Sequence, residues 1–177
     1  MIGSNIPQTV AAATAGATNF WIPASAMIPT TTTGCGVNSV EMATNKINYD
    51  CLEFDTAITE FAQFMTVMPN NYNVGTVQAR FYWTATTGSG TVEWAIAARS
   101  YGNDDAIDQA LGTLQATNDT LLAANDMHIT SQTPAVTITG GTALNEPIQF
   151  QVSRQVGNDT LAVDARLLGV EISYTAS

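Results

Sequence analysis

Positive charge is scarce in this chain: 177 residues carry five Lys and Arg and one His, against fifteen Asp and Glu. The formal net charge of −10 repels a phosphate backbone and an anionic membrane surface, so neither nucleic acid nor membrane is an expected partner. A basic protein surface would be attracted instead. Charge of either sign is also sparse, at 11% of residues, less than half the usual share. No apolar run is long enough to span a bilayer. The stretch MIGSNIPQTVAAATAGATNFWIP has no positive n-region, so no secretory signal is read. Only two cysteines occur, Cys35 and Cys51. Nothing in the sequence requires them to pair, and without an export signal they are read as free, buried thiols.

Thr, Asn, Gly and Ala take the place that Lys and Glu usually hold. With 45% hydrophobic residues the chain has enough apolar surface for one core. Such a composition favours strands, tight turns and a neutral polar exterior.

Residues 1–19 are small and polar, without helical or strand period, and read as an extended N-terminal arm. Residues 20–177 read as a single domain. Phe20, Trp21 and Ile22 form an apolar plug closed by Pro23. Tyr49 and then Leu52 and Phe54 lie on opposite parities, which predicts a bulge or break. Phe64 and Met68 share one parity, and the run PNNYNVG that follows is turn chemistry.

The stretch VQARFYWTATTGSGTVEWAIAARSY, Val77–Tyr101, alternates cleanly. Val77, Ala79, Phe81 and Trp83 share a face, as do Val92, Trp94, Ile96 and Ala98. A short loop would make this a hairpin with Phe81 opposite Trp94, Trp83 opposite Val92 and Tyr82 opposite Glu93. Arg80 would lie diagonal to Glu93. Phe81 and Trp94 are then core residues, whereas Tyr82 points away. NDDAIDQALG, from Asn103 to Gly112, has the spacing of one short helix. Ile148, Phe150 and Val152 alternate with Gln149, Gln151 and Ser153. In LAVDARLLGVEISY the apolar parity shifts after Leu168-Gly169, which predicts a bulge at the glycine. NDTLLA from Asn118 and NDTLAV from Asn158 echo each other over too short a span to indicate a repeat architecture. The sum is an all-β fold, a jelly-roll-like antiparallel β-sandwich with one short helix and an extended N-terminal arm.

Catalytic chemistry is hard to assemble. His128 is the sole candidate base, and one histidine builds neither a Ser or Cys charge relay nor a His-rich metal site. It is read as a strand-end histidine with an ordinary hydrogen bond. The carboxylate pairs Asp104 with Asp108 and Glu53 with Asp55 read as cap and loop residues. Asn103, Asp104, Asp105 and Asp108 offer oxygen ligands but lack the spacing of a Ca²⁺-binding EF-hand loop. No enzyme activity, cofactor or metal is expected.

The FWIPASAMIPTTTTG opening, the LEFD element, the Val77–Asp108 block and the ending DTLAVDARLLGVEISYT resemble small virion proteins of tailed bacteriophages. That resemblance runs from about Phe20 onward. It implies a homotrimeric jelly-roll protein acting as capsid cement or decoration. Such a protein is made in the host bacterial cytoplasm, placed on the capsid exterior and bound to the major capsid protein of the same phage. Phe20, Trp21, Ile22 and Tyr82 are then the candidates for the capsid or subunit interface. The alternative is a tail-fibre or baseplate receptor-binding module, with carbohydrate as one receptor class and Tyr72, Tyr82 and Tyr101 as contact candidates.

Overall fold

The computed structural model describes residues 16–141 and 144–177. Twelve strands are present among the described residues, in chain order: β1 (Ala17–Pro23), β2 (Ile28–Pro29), β3 (Gly36–Glu41), β4 (Asn48–Phe54), β5 (Glu60–Val67) and β6 (Gln78–Thr84). The second half supplies β7 (Gly90–Ser100), β8 (Gln115–Leu121), β9 (His128–Ile129), β10 (Ile138–Thr139), β11 (Pro147–Arg154) and β12 (Ala165–Thr175).

They form two sheets. The first runs β3-β4-β12-β6-β9, with β1 beside the second half of β12. The second runs β10-β7-β11-β5-β2, with β8 along the first half of β7. Among the described residues all strand pairings are antiparallel except the two-residue β10–β7 contact, and the isolated Gly34–Phe61 bridge is parallel too. The fold is therefore the expected jelly-roll-like antiparallel β-sandwich. No helix of the described residues is long and apolar enough to cross a membrane.

Period-two alternation builds the core. Ala79, Phe81 and Trp83 of β6 and Leu167, Val170 and Ile172 of β12 point inward from the first sheet, all 0% exposed. Val92, Trp94 and Ile96 of β7 and Ile148, Phe150 and Val152 of β11 meet them from the second sheet at the same exposure. Phe81 stacks on Trp94 at 5.7 Å between centroids, and Phe54 meets Trp94 edge-on at 5.1 Å. The register shift between Leu167 and Gly169 is the predicted bulge, and it keeps both halves of β12 facing the core.

Four expectations need correction. Val77–Ala98 is not a hairpin: β6 lies in the first sheet and β7 in the second, so Phe81 and Trp94 meet across the sandwich. The connection turns through Gly88 (φ 94°) and Gly90 (φ 133°), and Gly90 packs so closely on the Thr160 carbonyl that a side chain has no room. Arg80 accordingly pairs with Glu171 of β12 at 3.8 Å, and Glu93 accepts from Asn158 instead.

The second correction concerns residues 103–112, which form turns and no helix. Asp104 adopts φ 66°. The Gly102 N–H donates to Asp105, while the Ile107 and Ala110 carbonyls accept from Tyr101 and Arg99. Side chains of the neighbouring strand thus satisfy carbonyls that a helix would have bonded internally. The only helical turns described are 3-10 turns at Ala24–Ala26 and Val156–Asn158.

Third, β4 has no bulge. Its register with β3 is continuous, and the parity change places Tyr49 on the outer face and Leu52 and Phe54 on the inner. Fourth, β1 begins at Ala17, inside the segment read as an arm, and pairs with β12 through Pro23. Residues 1–15 of that arm lie outside the described residues.

The short echo has a structural counterpart around β7. Asn118 of β8 stands opposite Glu93, and Asn158 donates to Glu93 from the other side at 2.9 Å. Thr120 and Thr160 flank Thr91 in the same way, at 3.2 Å to its hydroxyl and 2.9 Å from its N–H. Two like segments thus clasp one strand.

Candidate functional site

The outer face of the second sheet carries the residues of β5 and β11 that alternate with the core set. Gln63 pairs in register with Gln151, and Met65 with Gln149. Gln149 Nε2 donates to Gln63 Oε1 at 3.2 Å, an amide bridge across the two strands. Gln149 is also opposite Arg99 of β7. The sheet thus displays a patch of neutral amides with donors and acceptors beyond the one bridge between them.

Two depressions flank this amide pair and share Gln63, Met65 and Gln149. One, of about 430 Å³, is closed by Tyr101, Ile107, Gln109 and Leu111. The other, of about 470 Å³, is closed by Ile28, Pro29 and Thr30. Together they make a trough across the sheet. The turns of residues 103–112 form its wall. Tyr101 holds that wall with a 2.9 Å hydrogen bond to the Ile107 carbonyl, and Arg99 holds it through the Gln109 side chain and the Ala110 carbonyl. The Arg99 guanidinium lies 5.8 Å from the Tyr101 ring centre, over its face. Asp108 adds a carboxylate at the rim.

The sequence candidates are distributed differently from their grouping in the chain. Phe20 and Ile22 turn inward against the core, Phe20 at 6.2 Å from the Tyr174 ring. Trp21 points outward and meets Tyr82 edge-on at 4.7 Å on the first sheet. The apolar plug is thus split between two faces. Tyr72 is 3% exposed, with its hydroxyl bonded to the Gly75 carbonyl, and so presents no contact surface, a correction to its reading as a receptor contact. Turn chemistry around it masked a core position. Only Tyr101 of the three receptor candidates lies at the trough. Gln63, Met65 and Gln149 were not singled out, although the alternation of Gln149 with Ile148 and Phe150 already marked it as outward.

His128 is a strand-end histidine: it is 6% exposed, its Nε2 lies 3.1 Å from the Ala123 carbonyl and its ring rests on Trp83. Cys35 and Cys51 are free and buried. Burial pushes the Cys35 thiol up to about 12 and the Cys51 thiol up to about 11, far from the thiolate state a nucleophile needs. Glu53 is spent on Arg166 at 2.7 Å, and Asp55 accepts from the Ala57 and Ile58 N–H groups. Among the described residues no group of three or more His, Cys, Asp or Glu is placed to hold a metal ion.

No protein-family model matches the chain, and no curated protein does. Among solved structures it is similar to the C-terminal CBM6 of LamC, a marine laminarinase from Zobellia galactanivorans, at 6% identity and TM-score 0.45, over 88% of this chain and 98% of that one. It is also similar to TmCBM61 in complex with β-1,4-galactotriose, at 13% identity and TM-score 0.41, over 84% and 85%. A third similar structure comes from work on carbohydrate-binding modules of the β-sandwich superfamily, at 10% identity and TM-score 0.40, over 91% of this chain and 56% of that one.

Proposed function

We propose that the chain is a non-catalytic binding module for a neutral carbohydrate chain, held in the trough on the second sheet. The observation that carries this reading is the Gln63–Gln149 amide pair which, with Met65, is set between Tyr101 on one side and Ile28 on the other. A sugar presents hydroxyls at its edge and C–H groups on its faces. Amides can donate to and accept from the same hydroxyl pair, and a tyrosine offers an apolar ring with a polar tip. The elongated trough suits several linked residues rather than one compact ligand. The acidic surface and the Asp108 carboxylate at the rim favour a neutral chain over a sulfated or uronic one.

The test is binding of the intact domain to a panel of neutral and acidic polysaccharides by calorimetry and affinity electrophoresis. At least one neutral glycan should bind. Tyr101→Ala and Gln149→Ala should each weaken it about tenfold or more, roughly 1.4 kcal/mol, with the melting temperature retained. Absence of binding across the panel, or binding untouched by both substitutions, rejects the trough as a sugar site.

A second reading is favoured by exposed apolar residues on the same face. Ile28, Met65 and Val67 are 73%, 56% and 51% exposed along the β2–β5 edge. Exposed apolar groups gathered this way suit a protein contact. The homotrimeric capsid-cement role implied by the sequence resemblance, with Phe20, Trp21, Ile22 and Tyr82 as its interface candidates, would use this edge as a further contact. Sedimentation distinguishes the two: a trimer that Met65→Glu dissociates supports the assembly reading, and a monomer at micromolar concentration rejects it.

A further inference from the structure

On the opposite sheet a second site stands apart from the trough. A groove of about 520 Å³ opens where the β3–β4 turn faces the 122–127 loop across the ends of β6 and β12. That volume is within the range of small-molecule sites. Its apolar end is built by Met42, Ile47 and Tyr49 of the turn, by Met127 and by Leu168 of the bulge. The turn is closed by Met42 N–H to the Ile47 carbonyl at 2.9 Å and Lys46 N–H to the Met42 carbonyl at 3.0 Å, so this wall is preformed.

The other end is polar, with Thr84, Asn125 and Asp126 lining it. The Asn125 N–H donates to the Ala85 carbonyl at 2.7 Å, which ties the Asp126 turn to the end of β6 beside Thr84. Two features there are unspent. Thr84 is 4% exposed and its Oγ1 has no hydrogen-bond partner among the described residues, an uncommon state for a buried hydroxyl. Asp126 has no ion pair among the described residues, where each Lys and Arg side chain is engaged elsewhere. Lys46, Arg80, Arg154 and Arg166 pair with Glu41, Glu171, Asp159 and Glu53, and Arg99 is held at the trough.

We propose that this groove binds a small amphipathic cation. The apolar body lies between Ile47, Met127 and Leu168, and the ammonium head lies at Asp126, with the Thr84 hydroxyl as a further acceptor. Apolar walls supply the burial, and the single carboxylate selects the sign of the head group. Methionines on both walls adapt to the body's shape. The site is independent of the sugar reading, since the trough is on the other sheet.

The experiment uses the full chain, with ¹³C-methyl methionine labelling to follow Met42 and Met127. Probes are n-hexylammonium, n-hexanol, n-hexanoate and ethylammonium. Hexylammonium should shift both methyl signals saturably, and bind about tenfold more tightly than hexanol, hexanoate or ethylammonium. Asp126→Asn should remove most of the preference over hexanol, whereas Asp164→Asn, at an exposed position outside the groove, should leave it. Thr84→Val, nearly isosteric, should weaken hexylammonium with the fold retained. Equal binding of hexanoate or hexanol, equal effects of Asp126→Asn and Asp164→Asn, or no methyl response to any probe would overturn the proposal.

Discussion

The indole of Trp21 lies where a side chain on Gly169 would have to be. A Cβ built at Gly169 overlaps the indole carbons and sits 2.7 Å from the Ile22 carbonyl oxygen. The bulge glycine of β12 is therefore the floor over which Trp21 of β1 reaches Tyr82 of β6, three strands joined by one aromatic contact. Gly169→Ala should cost about 1–3 kcal/mol, as overpacking does, and expel the ring. Thermal melting should fall and tryptophan emission shift to the red. Trp21→Ala should recover part of the loss in the double variant, because the two residues share one space. Additive effects would show that the glycine is needed for backbone reasons alone.

Trp94 is the centre of the core, touching Phe54, Phe81 and Trp83 at 5.1, 5.7 and 6.5 Å between centroids. Trp94→Ala should destabilise by about 3–5 kcal/mol. Its indole N–H has no partner among the described residues, so no hydrogen bond seen there is lost when it is removed. Trp94→Phe should therefore cost under about half as much, by denaturant titration. Equal losses for both would point to an unseen partner of the N–H.

Which side each strand buries was legible from alternation alone: Phe81, Trp94, Phe150 and Ile172 all point inward as their parity requires. Partners were not legible in the same way. Parity assigns a face and says nothing of which sheet the strand joins, so β6 and β7 passed for a hairpin although the two glycines between them carry the chain across the sandwich. The site suffered the same limit. Gln63 and Gln149 were each readable as outward, but their bridge joins residues 86 apart. Helical spacing at residues 103–112 was overruled by Arg99 and Tyr101, whose long-range bonds to that loop have no local signature.

The two thiols predict a loss of stability at high pH. In the fold they titrate at about 12 and about 11, against an ordinary 9.0, chiefly because burial disfavours the thiolate. The folded chain therefore holds protons that the unfolded chain releases. Stability from this source is complete below about pH 9 and falls as pH rises toward the folded values. Resistance of the wild type to chemical denaturation should fall between pH 9 and pH 11, and the decline should be shallower in Cys35→Ala/Cys51→Ala. A thiol reagent at pH 7 should label the chain only after unfolding. Rapid labelling of the native protein contradicts the burial of these groups.

Arg154 closes the end of the sandwich. It is fully buried, yet every N–H of its guanidinium has an acceptor. Nε and Nη2 bond the two oxygens of Asp159 at 2.6 and 3.1 Å, Nη1 reaches the carbonyls of Phe54 and Val163 at 2.9 and 2.8 Å, and Nη2 also reaches that of Leu161 at 2.5 Å. One side chain thus ties β11 to the end of β4 and to both sides of the 155–164 loop. Lysine has three donors and no planar fork, so Arg154→Lys should leave carbonyls unpaired and cost nearly as much as Arg154→Met. Removing one member of a buried ion pair typically costs about 3–5 kcal/mol, because the other charge stays behind without compensation. Asp159→Asn should fall in the same range, since it strands the arginine. The double variant Arg154→Met/Asp159→Asn should be more stable than the sum of the singles predicts, because no lone charge is left in the core. Denaturant melts of the four proteins give the coupling directly. Additive losses would mean that the carbonyl bonds, and not the ion pair, hold the loop.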